Sequence, residues 1–482
     1  MTPCVLAIDQ GTSSTKAILV DASGHIHAQA QAPLTSHYPQ PGWAEQSADD
    51  IWQSVQTVIA EIGSNTAPIA LAIANQRETL VVWDAETHRP IAPAILWQCR
   101  RTAPDCAALI AQGHTPMVTA ATGLAINPLF PASKLAWVMR NIPAAAQLLK
   151  QGRLRAGTVD AWLLWNLTQG TSFATDTSNA SRTQLFNTAT LQWDASLCGL
   201  FGAPMAALPT PRPSDALFGH TVTSALPKGT AIHAMMGDSH AALYGHGVRK
   251  PGLVKATYGT GSSLMTLTDT RKQSLNGLSS TIAWTTGRGT AYAIEGIITV
   301  SGQAAAFAAT LLGLPDASAL SALAQTVPDA QGVTFVPALV GLGAPHWNDQ
   351  ARGTIGGLTH ATTPAHIARA TFDAIACQIA DVFTAMEADC GLPLTTLLAD
   401  GGASSNGFLM QLQANLLNRP VTRSAVPEIG ALGAAAMAFA GMGIATRTPA
   451  ADPVVFEPDM PEIPRQTILT NWQNAVARVL QP

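Results

Sequence analysis

The chain begins with an apolar run, residues 5–8, that stops in a turn made of an acid, a glycine and hydroxyl side chains, Asp9-Gln10-Gly11-Thr12-Ser13-Ser14. A second β-prone run over 16–20 passes through Asp21-Ala22-Ser23-Gly24 into a third. Short runs of this kind, separated by Gly, Asp and Ser, predict antiparallel hairpins. Beyond Ser47 the spacing changes. Asp49-Asp50-Ile51-Trp52 opens a segment with apolar residues at helical intervals, and acids suit a helix start because its free N–H dipoles favour negative charge. Strands are expected over 69–74 and 79–83, so sheet and helix alternate in an α/β pattern. The second half repeats the order. A strand over 253–258 meets the turn Gly259-Thr260-Gly261-Ser262-Ser263, and a return strand follows over 264–267. This echo of the N-terminal hairpin predicts two domains of related fold facing each other. The boundary falls in the segment GHGVRKPG, giving domains at 1–246 and 247–482. The Pro-rich stretch 204–213 is expected to be a surface loop.

Composition narrows this picture by exclusion. With 482 residues the chain exceeds what one core serves. It is 47% hydrophobic and 12% charged. Ala and Gly dominate the longest apolar run, 431–445, which is shorter than the roughly 20 residues a membrane span needs. No basic segment precedes an apolar one at the start, so a cytoplasmic protein is expected. A net charge of −4 without a basic run argues against nucleic-acid and membrane-surface partners. The six cysteines show no CxxC spacing, so free buried thiols are expected rather than disulfides or zinc.

Three motifs carry chemistry. In the first turn, backbone N–H and side-chain O–H groups could face phosphate oxygens, with Lys16 neutralising charge and Asp9 holding Mg²⁺ through water. An ordinary hairpin turn would read the same way. It is not a P-loop, since no GxxxxGK followed by Ser or Thr occurs. The second motif, Gly237-Asp238-Ser239-His240, follows a strand expected over 232–236. A carboxylate there could accept the proton of an attacking hydroxyl and, because phosphoryl transfer has a loose transition state, act mainly by orienting it. It could equally cap a helix opening at Ala241-Ala242-Leu243. The third, Asp400-Gly401-Gly402-Ala403-Ser404-Ser405-Asn406, places paired glycines before a helix, where a flat base or a ribose can approach backbone. Such pairs also occur where nothing binds. No GxGxxG opens a helix near Gly259, which removes a dinucleotide-dependent oxidoreductase.

Together these motifs resemble the actin-like ATPase superfamily of sugar kinases, and the segments between them resemble the FGGY carbohydrate kinases over essentially the whole chain. Asn75-Gln76-Arg77-Glu78-Thr79, Trp97-Gln98-Cys99-Arg100-Arg101-Thr102, Gly157-Thr158-Val159-Asp160, Ser178-Asn179-Ala180-Ser181-Arg182-Thr183 and Gly341-Leu342-Gly343-Ala344-Pro345 read like glycerol kinase. The resemblance implies two ribonuclease H-like domains with a cleft between them and ATP-dependent phosphorylation of a polyol or sugar hydroxyl. It implies Asp238 as base and Asp9 at the metal. Thr12, Ser13 and Lys16 would lie on the nucleotide's phosphates, with Thr260 and Gly261 opposite. Gly302, Gly402 and Asn406 would surround the nucleoside. Arg77 and Glu78 would hydrogen-bond neighbouring acceptor hydroxyls, with Trp97 along the carbon chain; the bland alternatives are a surface ion pair and a core tryptophan. ATP, Mg²⁺ and a small-molecule acceptor are the implied ligands, and a homodimer is left open.

The sequence also departs from glycerol kinase. Leu129 stands where that family has an aromatic residue, Ser239 where a Gln follows the catalytic Asp, and Ser263 where a Phe follows the TGTG turn. Loss of aromatic volume predicts a roomier, wetter acceptor pocket, in which glycerol forfeits contacts. A four- or five-carbon polyol or ketose is therefore expected, with glycerol kinase proper or a xylulose/ribulose-type kinase as alternatives. Arg77-Glu78 fits poorly with a true xylulose kinase. Only a short turn is expected at 225–229, where some bacterial relatives carry a Gly-rich regulatory loop. A scaffold without catalysis, or a phosphatase or ATPase on the same fold, are readings of another class.

Overall fold

The computed structural model describes residues 2–63, 67–222, 225–446 and 453–481. Its two halves repeat one sheet plan. In the first, the strands lie in the order Leu217–His220, Ala231–Gly237, Ala70–Asn75, Cys4–Gln10, Ser14–Asp21, Ile26–Pro33. Cys4–Gln10 runs antiparallel to Ser14–Asp21 and parallel to Ala70–Asn75. In the second, the order is Ser279–Thr286, Gly289–Ile298, Ser262–Thr268, Leu253–Tyr258, Thr396–Asp400, Val421–Arg423, Val454–Phe456. Leu253–Tyr258 is again antiparallel to its hairpin partner and parallel to the next strand along, Thr396–Asp400. Both central strands are almost wholly buried, as sheets covered by helices on both faces require. The expected pair of α/β, actin-like halves is present.

The joint between them is made of helix. Asp238–Gly245 leaves the end of the Ala231–Gly237 strand, and Ile429–Gly441 crosses it. Although it comes from the second half of the chain, Ile429–Gly441 packs on the first sheet, and its Ala431, Ala434 and Met437 share one core with Val5, Ala72 and Met265. Glycine makes the crossing close. A Cβ on Gly433 would lie 1.7 Å from the Ala241 carbonyl oxygen, and one on Gly245 would lie 2.3 Å from that of Ile429. The apolar run at 431–445 is thus largely an interdomain helix, and among the described residues no helix is long and apolar enough to cross a membrane.

Two local expectations change. The helix after Gly237 begins at Asp238 itself, three residues before Ala241, so Asp238 lies in its first turn with Gly237 as the cap. The stretch 204–213 includes the short strand Thr210–Arg212, paired with Ala174–Asp176. All six cysteines are buried and unpaired, in keeping with the reading of free thiols. Residues 225–229 turn back between two strands, with the Gly229 N–H bonded to the Thr221 carbonyl at 2.8 Å.

Candidate active site

Strand register delivers the key groups. Asp9 stands opposite Lys16 in the first hairpin, and Gly237, immediately before Asp238, pairs with Asn75, which is followed by Gln76-Arg77-Glu78. Arg77 and Glu78 are buried, which removes the surface-pair alternative. Arg77 Nε lies 3.1 Å from Asp238 Oδ1, and its Nη1 lies 2.6 Å from Glu295 Oε1. Glu295 is fully buried and holds Arg182 Nη2 at 2.8 Å with its other oxygen, while Arg182 Nε donates to Glu78 Oε1 at 2.6 Å. Five charges therefore alternate in one chain, Asp238–Arg77–Glu295–Arg182–Glu78, four from the first half and Glu295 from the second. Burial alone would lift the Glu295 carboxyl; its two arginines outweigh that and hold it down at about 2. Asp238 is the member that faces open space, with 40% of its side chain exposed.

Glu78 adopts a left-handed backbone, φ 59°, where a non-glycine residue is strained. The buried Lys134 stabilises that turn by donating to the carbonyls of Glu78, at 2.8 Å, and Leu129, at 2.7 Å. Desolvation pulls the Lys134 ammonium down to about 7. Leu129 is half-buried at this edge. Ser239 and Ser263 meet with their hydroxyls 3.1 Å apart; Ser263 also donates to Glu295 Oε1 at 2.9 Å, and the fully buried Lys255 donates to Ser239 at 3.1 Å. Trp97 is half-buried rather than core, and its indole N–H donates to Thr12 Oγ1 at 3.0 Å, tying this ring to the first turn.

Asp9 is half-buried beside Gly430, where a Cβ would come within 2.9 Å of its Oδ2. Burial and then the charge of Asp238 raise its carboxyl from 3.8 to about 7, with Lys16 opposing them. Lys16 reaches Glu428, at the head of the crossing helix, with a 3.1 Å ion pair. Ser13 is exposed on the same turn.

In the second half the turns close on one another. A Cβ on Gly261 would lie 2.3 Å from the Ile298 carbonyl oxygen and one on Gly302 would lie 2.5 Å from that of Gly259; the Gly302 N–H donates to the same oxygen at 3.0 Å. Thr260 is exposed, and around Gly402 there is free space. Asn406 has a structural occupation: its Oδ1 caps the helix Gly407–Leu417, and its Nδ2 donates to Ser321 at 3.0 Å. Asp400 accepts from His246 at 2.8 Å and Thr257 at 2.6 Å; against the lift from burial, Lys255 and these donors hold its carboxyl low.

The sequence reading gave no role to Glu295, Lys255, Glu428 or Lys134, nor to Arg182 and Asp400, which it quoted within motifs. One signal was available. Glu295 and Lys255 are single charges within otherwise uncharged strands, and a charge buried in a sheet needs a partner.

Comparison with known proteins covers both halves of the chain. The sequence model for the N-terminal domain of the FGGY family of carbohydrate kinases matches residues 4–245, and that for the C-terminal domain matches 254–442. A glycerol kinase of Symbiobacterium thermophilum is 45% identical, over 98% of both chains. An apulose kinase of Pectobacterium atrosepticum is 46% identical, over 99% of this chain and 98% of its own. The crystal structure of Plasmodium falciparum glycerol kinase with ADP superposes with a TM-score of 0.91 at 30% identity, covering 100% of this chain and 99% of that one.

Proposed function

We propose that this chain, which belongs to the FGGY family of carbohydrate kinases and transfers a phosphoryl group from ATP to a carbohydrate or polyol hydroxyl, acts on a four- or five-carbon polyol or ketose in preference to glycerol. The observation that carries the choice is the wall formed by Ser239 and Ser263, two hydroxyls held by Lys255 and Glu295 where an aromatic surface would favour glycerol's carbons. The relatives divide by name between glycerol and apulose. A polar wall needs a hydroxyl against it, because a buried polar group facing carbon loses hydrogen bonding.

In this reading residues 1–246 bind the acceptor and 247–482 the nucleoside, with Glu295 and Ser263 reaching across. Asp238 accepts a hydrogen bond from the attacking hydroxyl and orients it in line with the terminal phosphate, taking its proton as the new bond forms. Arg77 fixes the Asp238 carboxylate by the 3.1 Å contact and is itself fixed by Glu295. Trp97 lies along the acceptor's carbon chain. Thr12, Ser13 and Lys16 approach the phosphates from one side and Thr260 and Gly261 from the other, while Gly302, Gly402 and the Asn406 turn flank the nucleoside.

Mg²⁺ fits this arrangement in one way. Among the described residues no three metal-ligating side chains converge, but Asp9 sits where burial and then the neighbouring Asp238 disfavour its negative charge. A hard cation that keeps most of its water suits one or two carboxylates plus phosphate oxygens, so Asp9 would hold it jointly with the nucleotide. When bound, it would neutralise charge on the transferring phosphoryl group.

The test is acceptor-dependent ADP formation across C3 to C7 polyols and ketoses. A C4 or C5 compound is expected to exceed glycerol in kcat/KM; glycerol as the best substrate overturns the assignment.

A further inference from the structure

The acceptor wall has a direction. Glu295 is pinned by Arg77 at 2.6 Å and Arg182 at 2.8 Å, so it is a carboxylate and can only accept hydrogen bonds. The Ser263 hydroxyl, 2.9 Å from Glu295 Oε1, must therefore donate to it. With that hydrogen committed, the 3.1 Å contact between Ser263 and Ser239 forms only if Ser239 is the donor. Lys255 completes the series, since an ammonium only donates and its Nζ lies 3.1 Å from Ser239 Oγ. The order is Lys255 to Ser239 to Ser263 to Glu295, with a buried cation at one end and a buried anion at the other. Each serine has then given its hydrogen and used one lone pair, so each keeps one lone pair and no hydrogen to donate; Ser263 is half-buried and Ser239 buried behind it.

We infer that Ser239 and Ser263 read the acceptor as hydrogen-bond acceptors only, so that the group placed against them is an alcohol O–H and never a carbonyl oxygen or a carboxylate. This rests on the proposed preference for acceptors longer than glycerol and narrows it. The carbons beyond the third must carry a free hydroxyl at the wall, and a ketose binds with its carbonyl turned elsewhere. Sugar acids that would place a carboxylate there are excluded, because an anion against oxygens with no hydrogen left to donate is repelled and unpaired.

The experiment uses the full-length enzyme and its best C4 or C5 acceptor, with each hydroxyl in turn replaced by hydrogen or by fluorine. Fluorine keeps the size and a weak accepting ability but cannot donate. At one carbon, the deoxy and the fluoro compound are expected to fall together in kcat/KM, on the order of tenfold to a hundredfold below the parent. Ser263→Ala and Ser239→Ala should shrink that gap, and Ser263→Thr should keep it. Calorimetric titration of the same compounds into enzyme holding a non-hydrolysable ATP analogue reads the same differences without turnover. A fluoro compound that matches the parent while the deoxy compound fails would mean that the wall donates, and the inference falls. Equal behaviour of all three compounds at every carbon overturns it as well. Failure of the longer-acceptor reading looks different: glycerol then outperforms every unmodified C4 and C5 parent.

Discussion

The two faces of the cleft are built from different materials. On the proposed nucleotide face, Thr260, Gly261, Gly302 and Gly402 shape space with backbone, and their contacts run mainly between turns close to one another in the sheet. On the proposed acceptor face, Arg77, Glu295, Arg182 and Glu78 shape it with buried charges drawn from distant parts of the chain, and the series ends at the part-exposed Asp238. A backbone site recognises what every nucleotide shares, whereas a side-chain lattice can be retuned one residue at a time. Kinases of one fold can therefore differ in acceptor while keeping ATP.

That contrast breaks most severely at Asp238. Asp238→Asn is expected to cut acceptor-dependent ADP formation by ~10²–10⁴-fold while ATP affinity, measured by titration, stays near wild type. Next comes Glu295→Gln, which leaves two buried arginines short of an anion. Removing one partner of a buried ion pair costs about 3–5 kcal/mol, so both a lowered Tm and a raised acceptor KM are expected, with the KM for ATP changed less. An equal rise in both KM values would show that the two faces are not separable. Gly302→Val tests the opposite face: with a Cβ 2.5 Å from a carbonyl oxygen, its KM for ATP should rise on the order of tenfold, with acceptor KM changed less.

The smallest effect concerns pH. The Asp9 carboxyl is raised from 3.8 to about 7 in the nucleotide-free protein. The folded state therefore binds that proton more tightly than the unfolded chain, and the stability this gives is full below 3.8 and lost as pH rises through 7. Asp9→Asn should raise the Tm of the nucleotide-free protein at pH 8 by a few degrees, as scanning calorimetry would show, and change little at pH 4. A lowered Tm at pH 8 would mean that Lys16 outweighs the burial.

The same contrast explains what could be read from the chain. Hairpins, turns and the repeat of the two halves were legible, because a strand ending in Asp9 or Tyr258 before glycine and hydroxyl residues is a local pattern. Arg77 and Glu78 were legible as a motif, but the reading set them on substrate hydroxyls alone, whereas both also hold ion pairs. Glu295 and Lys255 were not legible, because their partners lie on other strands and no spacing along the chain records the meeting. The start of the helix at Asp238 was misplaced by three residues because Asp-Ser-His lacks apolar periodicity, though Ser239 and His240 are buried and Asp238 meets Arg77.

The contact of Gly433 with Ala241 has a mechanical consequence. Where main chain touches main chain there is no side chain to flex, so the lobes can swivel about that point but not glide past it. Gly430, one turn away, touches Asp9 and lies 3.8 Å, measured from its would-be Cβ, from the Asp238 carbonyl oxygen. Both acids thus ride close to the axle, whereas a pair such as Arg100 and Asp349, joined between the lobes, rides on the rim. Swinging the lobes apart parts the rim and leaves the acids in step, so under the proposed mechanism each new round of transfer starts with Asp238 already aimed.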